Sequence, residues 1–388
     1  MAITKLPGTY LDEEIDFELT GKGGKIPCFI GVTNNSGSEE RPVDGTLITK
    51  YTSYRALNKP IEAGGIGEQN LLNSIMHDLY EEAALKNIDD IGIEHAYVID
   101  VGSGLDKSSW LNAVETALTK RDVSVLAFIG TENMKDGIAT YSLVDLMKAV
   151  HTYIKTETED FEFLNAFFTK LNSTDDELIA LTENETTGVQ KSRIGLCESN
   201  NFGKKIARIC VTPYKNEPGF FDYRSVKAGE FLERTKAQRL ALQNAGIIFD
   251  NDVYIDDEIH PQMNLCTATS FASSNKPADA LFQARFIADE VLKQVKSACF
   301  PFIKANDSAT NLVRLQTQVD TVVDTFINRE ECRAWNKVHG TGTHLEVRES
   351  DKNPDDFEII GTIQPTNCII AIIVHEKLNN ASLYQSGL

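Results

Sequence analysis

Four groups of residues carry types and spacings that can do chemistry. Asp100-Val-Gly-Ser-Gly-Leu-Asp106 sits between an apolar run and a helical pattern. Gly102 and Gly104 would there let backbone N–H groups approach a phosphate at a helix start. The stretch lacks the full GxGxxG spacing and any Walker lysine and serine, so a plain strand-to-helix turn is expected. Gly64-Gly65-Ile66-Gly67 follows Pro60 and no clear strand, and reads as a flexible loop. His339 and His344 flank Gly-Thr-Gly-Thr and, with Glu346, offer three metal-ligating side chains. The glycines between them make a mobile frame, and a connecting loop is the expectation.

The thiols are the third group. Cys28, Cys197, Cys210, Cys266, Cys299, Cys332 and Cys368 form no CxxC pair and mostly lie in apolar sequence such as Ile209-Cys210-Val211. His260 or His375 would be needed to activate one as a nucleophile, and no flanking residue lowers a thiol pKa. Buried thiols in a reducing compartment are expected. The fourth group is acidic: Asp12 to Glu14, Asp175 to Glu177, Asp250 to Glu258, and Asp355-Asp356. None fits a DxDxDG calcium loop, so solvated surface is expected. The sequence therefore assigns no catalytic residue, no cofactor and no metal.

Composition narrows the partners. The 388 residues carry 57 acids against 38 bases, a net charge of -19, which repels nucleic acid and anionic membranes alike. No apolar run reaches the length of a membrane span, and Met1 to Thr20 carries acids where a signal peptide needs an apolar centre. A cytosolic start, no direct nucleic-acid ligand and no membrane follow as expectations.

Positioning elements alternate through the middle of the chain. Ile26 to Val32 reads as the first core strand, and Leu71, Leu72, Ile75, Met76, Leu79 and Ala83 mark an amphipathic helix. His95 to Val101 reads as a buried strand. Ser108 is expected to cap the helix bearing Trp110, Leu111, Val114 and Leu118, with Val123 to Ile129 the next strand. That order implies a parallel crossover. A helix is expected near Ala139 to Lys155, two short acidic helical pieces between Phe161 and Asn184, and strands at Arg193 to Cys197 and Ile206 to Thr212. A helix at about Ala228 to Ala245 should end on a left-handed Gly246, with Ile247 to Phe249 resuming as strand.

Beyond Ser270 the pattern changes. A helix opening on Pro277 has the stripe Leu281, Ala284, Ala288, Val291 and Val295, and a second carries Leu312, Leu315, Val319, Val322 and Phe326. Leu345 to Arg348, Phe357 to Ile363 and Cys368 to Val374 are strand candidates, with Pro365-Thr366-Asn367 a turn. The fold class is α/β: a layered body over 21–269, a smaller α+β domain over 270–375, and extended arms at 1–20 and 376–388. In the first arm Pro7-Gly8 breaks any helix, and Ile15, Phe17 and Leu19 alternate with Asp16 and Glu18.

The first arm also carries a resemblance. Pro7-Gly8-Thr9-Tyr10-Leu11-Asp12-Glu13 resembles the Pro-Gly-Val-Tyr-Val-Glu-Glu opening of contractile tail sheath proteins, and Ile26-Pro-Cys-Phe-Ile-Gly-Val32 looks like the strand that follows it. Arg239-Leu-Ala-Leu-Gln-Asn-Ala-Gly-Ile247 resembles the sheath helix before the C-terminal domain. Where the family usually shows a Trp-Gly-Ala-Arg-Thr box, this chain has Asn264-Leu-Cys-Thr-Ala-Thr-Ser270. The resemblance implies a structural, non-enzymatic subunit of a virion tail or contractile particle, assembled in a host cytoplasm. It implies hexameric rings stacked helically around an inner tail tube protein, with baseplate and tail terminator proteins as further partners. The arms would link subunits by strand addition, through Pro7, Gly8, Tyr10, Ile15, Phe17 and Leu19 at one end. At the other end they would use Ile372, Val374, Leu378, Leu383 and Tyr384. An α/β enzyme using the Gly102 to Gly104 loop, or a surface-layer or scaffold protein, are the alternatives.

Overall fold

A computed structural model describes residues 22–32, 44–59, 65–66, 71–85, 91–131, 133–159, 164–183, 193–211, 232–255, 258–263, 282–302, 309–349 and 357–366. The first half of the described elements comprises β1 (Lys22–Gly23), β2 (Ile26–Gly31), β3 (Ile48–Tyr51), α1 (Tyr54–Leu57), α2 (Leu71–Leu85), β4 (Ile91–Gly92), β5 (Ala96–Asp100), α3 (Lys107–Leu118), β6 (Val123–Ile129), β7 (Lys135–Asp136), β8 (Ala139–Thr140) and α4 (Leu143–Glu159). The second half comprises β9 (Asn165–Thr169), α5 (Asp175–Glu183), β10 (Ile194–Cys197), α6 (Phe202–Val211), α7 (Lys236–Asn244), β11 (Ile247–Ile248), β12 (Asp250–Ile255), β13 (Glu258–Met263), α8 (Phe282–Cys299), α9 (Ala309–Asn328), β14 (His344–Glu349) and β15 (Phe357–Thr362).

Seven strands form one sheet in the order β11-β10-β9-β6-β2-β5-β3. All neighbours run parallel except β3, which lies antiparallel on β5. The apolar runs are nearly unbroken because both faces are covered, as parallel crossovers require. Successive side chains go to opposite cores: Phe29, Val125, Ala127 and Phe167 meet α2 and α6 on one face. Cys28, Ile30, Leu126 and Phe128 meet α3 and α4 on the other. Phe128 stacks on Phe168 with ring centroids 4.4 Å apart, so the second core is locked by aromatic packing across adjacent strands.

The α/β class is confirmed, and several local expectations are corrected. Ile206 to Thr212 is not a strand, since α6 covers it to Val211. The helix is buried on nearly every side, and its β-branched Ile206, Ile209 and Val211 favour the strand reading. The first of the two acidic helical pieces is instead the buried strand β9; the second is α5. Asp106, not Ser108, caps α3, its carboxylate accepting the Ser108 N–H at 3.1 Å. The helix expected from Ala139 begins only at Leu143, after the β7–β8 hairpin. Gly246 does take the left-handed conformation, at φ 74.

A third apolar cluster joins α8, α9 and the antiparallel β14–β15 pair through Ile287, Val291, Val319, Phe326, Leu345 and Val347. α8 spans two cores, because Phe282 and Phe286 at its start pack with the sheet while Ile287, Val291 and Val295 pack with α9. Phe282 meets Phe167 of β9 with centroids 4.7 Å apart. β12 and β13 form a separate antiparallel hairpin.

Candidate functional site

In α/β sheets of this winding, ligands bind where the strand order reverses, outside the carboxyl ends of the central strands. Here that crevice lies beyond β2 and β6, beside the Gly102 to Gly104 loop. It is filled by the chain itself. The Val32 N–H donates to the Ile129 carbonyl at 3.2 Å and the Val101 N–H to the Gly31 carbonyl at 3.0 Å. Ladder pairing thus continues past the strand ends. Gly104 and Gly130 adopt φ of 67 and 81, and a Cβ on either would lie 2.4 or 2.6 Å from the Val32 side chain. Glycine is required at both because Val32 occupies the space between them. The Trp110 indole N–H donates to the Gly104 carbonyl at 2.9 Å and closes the loop from the helix side.

The charge in this loop has the wrong sign for an anion. Asp100 is buried, and its carboxylate accepts the Gly102 N–H at 2.7 Å. An amide that would serve a phosphate is already taken by a group that would repel one. The loop is the plain turn expected from its sequence, and the geometry opposes the phosphate-site alternative.

The larger polar feature is a buried charge network beyond the ends of β10 and β11. The Lys205 ammonium, on α6, lies 2.9 Å from Asp250 and 3.2 Å from Glu198, and it also donates to the Asn200 carbonyl. Arg234 reaches Glu198 at 2.6 Å and grips Asp175 with two bonds of 2.8 and 2.9 Å. The Asp250 N–H donates to Glu198 at 2.6 Å, and Asn201 donates to Asp250 at 3.2 Å. Burial disfavours the Lys205 charge, but Asp250 and Glu198 outweigh it and raise its pKa. Burial likewise opposes the Asp250 charge, and Lys205 and Arg208 outweigh that and hold its pKa below the usual value. Each carboxylate is paired with at least one cation, and these pairs tie α5, α6 and the chain before α7 to the ends of β10 and β11. Asp250 and Asp175, expected on a solvated surface, are instead members of this network. Lys205 and Arg208, three apart on one face of α6, were the available signal.

Other candidates fare as follows. His344 opens β14 and stacks on Trp335 with centroids 5.0 Å apart, while His339 lies in an exposed turn organised by Asn336. Among the described residues, the group whose ligand atoms come within 4.8 Å of one another is His77, Asp78 and Glu81 on α2. Lys204 stands 3.7 Å from Glu81, and a cation there competes with a metal. Cys28, Cys197 and Cys210 are buried, and burial pushes their thiols up, that of Cys210 to about 12, as expected of inert core thiols. Every proposed arm residue, from Pro7 to Leu19 and from Ile372 to Tyr384, lies outside the described residues, as do Pro277 and the candidate strand Cys368 to Val374.

One buried base gives a pH prediction. Burial lowers the Lys25 pKa from 10.5 to about 8, against the pull of Cys210, Glu290 and Glu331, and its ammonium lies 4.7 Å over the Phe286 ring. The folded protein therefore releases this proton before the unfolded chain does, and stability rises between about pH 8 and 10.5. Lys25→Met is expected to be the more stable protein at pH 7, by about 2 kcal/mol, with the advantage shrinking as the pH climbs through that window. Paired thermal melts at pH 7 and 9.5 check this; a constant difference would refute it.

The described residues thus form a doubly wound α/β sheet whose crevice at the strand-order reversal is occupied by Val32. No family model matches the sequence and no curated protein does. Solved structures do match it along nearly the whole chain. A chain of the anti-feeding prophage (AFP) baseplate, 6-fold symmetrised, is similar at TM-score 0.63 and 12% identity, over 97% of this chain and 100% of that one. A chain of the AFP helical sheath in its contracted state is similar at TM-score 0.60 and 12% identity, over 97% and 100%. A chain of the PVC sheath complex, from an extracellular contractile injection system in the contracted state, is similar at TM-score 0.62 and 9% identity, over 98% and 100%. The fold is thus one found in sheath and baseplate assemblies of contractile injection systems.

Proposed function

We propose that this chain is a contractile tail sheath subunit, which polymerises helically around an inner tube and contracts to drive that tube through a target envelope. The observation that carries the reading is the end-to-end likeness to chains of two contracted sheaths. The filled crevice beyond β2 and β6 supports a structural rather than catalytic role. In this reading the chain divides into an arm over 1–20, a body over 21–269, a second domain over 270–375 and an arm over 376–388. Copies associate as stacked six-fold rings, with tube, baseplate and terminator proteins as partners and a particle assembled in a host cytoplasm as the location. Among the described residues no helix is long and apolar enough to cross a membrane. Extended arms cost roughly 1–2 kcal/mol per ordered residue, which strand pairing with a neighbouring copy offsets. Contraction then needs no nucleotide, because the extended lattice is metastable and the contracted one buries more surface.

A second reading, a baseplate component, is favoured by the likeness to the AFP baseplate chain. Negative-stain electron microscopy separates the two. Full-length protein is expected to form hollow, helically striated tubes, and protein lacking Met1 to Thr20 to remain monomeric. Closed rings without tubes would favour the baseplate, flat arrays a surface layer, and compact particles from both forms would end the arm-linked sheath reading.

A further inference from the structure

α3 and α4 cover the same face of the sheet and leave a groove of about 520 Å³ between them. Its apolar surface comes from Leu118 and the Tyr153 ring. The polar side chains that line it accept hydrogen bonds and have none left to donate. The Tyr153 hydroxyl donates to the Glu115 carboxylate at 2.8 Å. The Thr119, Thr152 and Thr156 hydroxyls donate to the carbonyls of Thr116, Lys148 and Thr152 at 2.7, 3.1 and 3.2 Å. With each hydroxyl proton committed, what remains to offer a visitor is lone pairs. Glu157, one turn beyond Tyr153 on α4, adds a second carboxylate and has no ion-pair partner among the described residues. Such a lining selects an apolar group flanked by a cation or an N–H donor.

A feature of the opposite character stands on the same chain. Between α9 and β14, Asn336 ties residues 336–341 into a tight turn. Its N–H donates to the Thr341 carbonyl at 2.7 Å, and its own carbonyl accepts the Gly340 N–H at 2.9 Å. Its side-chain oxygen accepts the Val338 and His339 N–H groups at 3.0 and 3.3 Å. Lys337, Val338 and His339 form the tip, all exposed, with Val338 87% exposed. A valine is thus held out in water by a preformed turn, between an ammonium and an imidazole that keeps an N–H donor in either protonation state. Ile138, on the β7–β8 hairpin, is exposed too, but that hairpin carries the exposed Asp136, which the groove's carboxylates would repel.

We propose that the Lys337–Val338–His339 turn of one copy docks in the α3–α4 groove of a second copy, with Val338 against Leu118 and the Tyr153 ring and Lys337 beside Glu115 and Glu157. The occupant is a second copy because every chain carries both halves of the contact and their charges match. That match matters on a protein whose net charge of -19 otherwise drives copies apart. The two surfaces differ, so the contact runs head to tail, and each docked copy leaves its own groove free for the next. No terminal segment takes part, which sets this contact apart from the arm pairing proposed above.

Charge reversal in the full-length protein tests it. Glu115→Lys and Lys337→Glu each change an exposed side chain. Sedimentation velocity at low ionic strength is expected to show each variant, alone, self-associating roughly tenfold more weakly than the wild type. Mixed in equal amounts the two should associate as the wild type does, since each then meets the opposite charge, and the doubly reversed chain should recover as well. Val338→Ser should weaken association by roughly tenfold while leaving its salt dependence unchanged. Glu157→Lys, which leaves the Tyr153 bond to Glu115 in place, repeats the test if Glu115→Lys misfolds. Variants that associate like the wild type, or a mixture no tighter than its components, would overturn the proposal. A wild type that stays monomeric while a lysine-bearing peptide binds the groove would assign the groove to another protein and overturn it too. Striated tubes that persist undiminished in the single variants would keep the sheath reading and lose this contact. Rescue by mixing, in a chain that never forms tubes, would keep the contact and lose that reading.

Discussion

Lys205→Met lowers the unfolding free energy at pH 7 by about 3–5 kcal/mol, the usual consequence of stranding buried partners of an ion pair. Methionine replaces the volume of the lysine stem but leaves Asp250 and Glu198, both nearly inaccessible to solvent, facing each other without the ammonium between them. Arg234 still compensates Glu198, so the damage centres on Asp250. The pH dependence follows from the sign of the Asp250 shift. Its pKa is depressed in the wild type, so it contributes stability that is present above the usual carboxylate value of 3.8 and lost as pH falls through the lower folded value. Without Lys205 the carboxylate is harder to ionise, and protonation relieves the variant first. The difference between the two proteins should therefore narrow from pH 7 toward pH 4. Urea titrations at several pH values measure it, and a gap below 1 kcal/mol or one independent of pH would show that the network is not held by Lys205.

Arg193→Leu is the second large effect. Arg193, at the start of β10, makes two bonds of 2.7 and 2.6 Å to Asp289 of α8, with both side chains nearly buried. Removing the guanidinium leaves a carboxylate buried on the helix that joins the sheet to the third cluster, and a loss of about 3–5 kcal/mol is expected. Arg193→Leu with Asp289→Leu should recover most of that loss, since the cost lies in the isolated charge more than in the missing bond. If the double variant is as unstable as the single one, the pair itself, and not the stranded carboxylate, seats α8.

Much of the architecture could be read from residue pattern. Strands buried on both faces gave unbroken apolar runs, as at Ile26 to Gly31 and Val123 to Ile129. Long helices with one buried stripe, such as α2 and α9, gave their period. What escaped was short and wholly buried. Neither α6 nor β9 has a wet face: Lys205 and Arg208 of α6 are buried with their apolar neighbours, so its cations mark no exposed side, and β9 is five buried residues, too short to show a period. The charge network escaped because its members lie far apart in the sequence, Asp175, Glu198, Lys205, Arg234 and Asp250. Acidic residues look alike in sequence whether they face water or a buried lysine.

The division of α8 between two cores has a mechanical side. Eighteen residues at about 1.5 Å each make a rod of roughly 27 Å. One end is keyed into the sheet by Phe282, Phe286 and the Asp289 clasp, and the other is gripped by α9 through Val291 and Val295. A helix held at both ends resists twisting far better than a hinge of loop residues. Torque on the β14–β15 end of the molecule would therefore pass along α8 to the floor of the sheet, as along the shaft of a wrench.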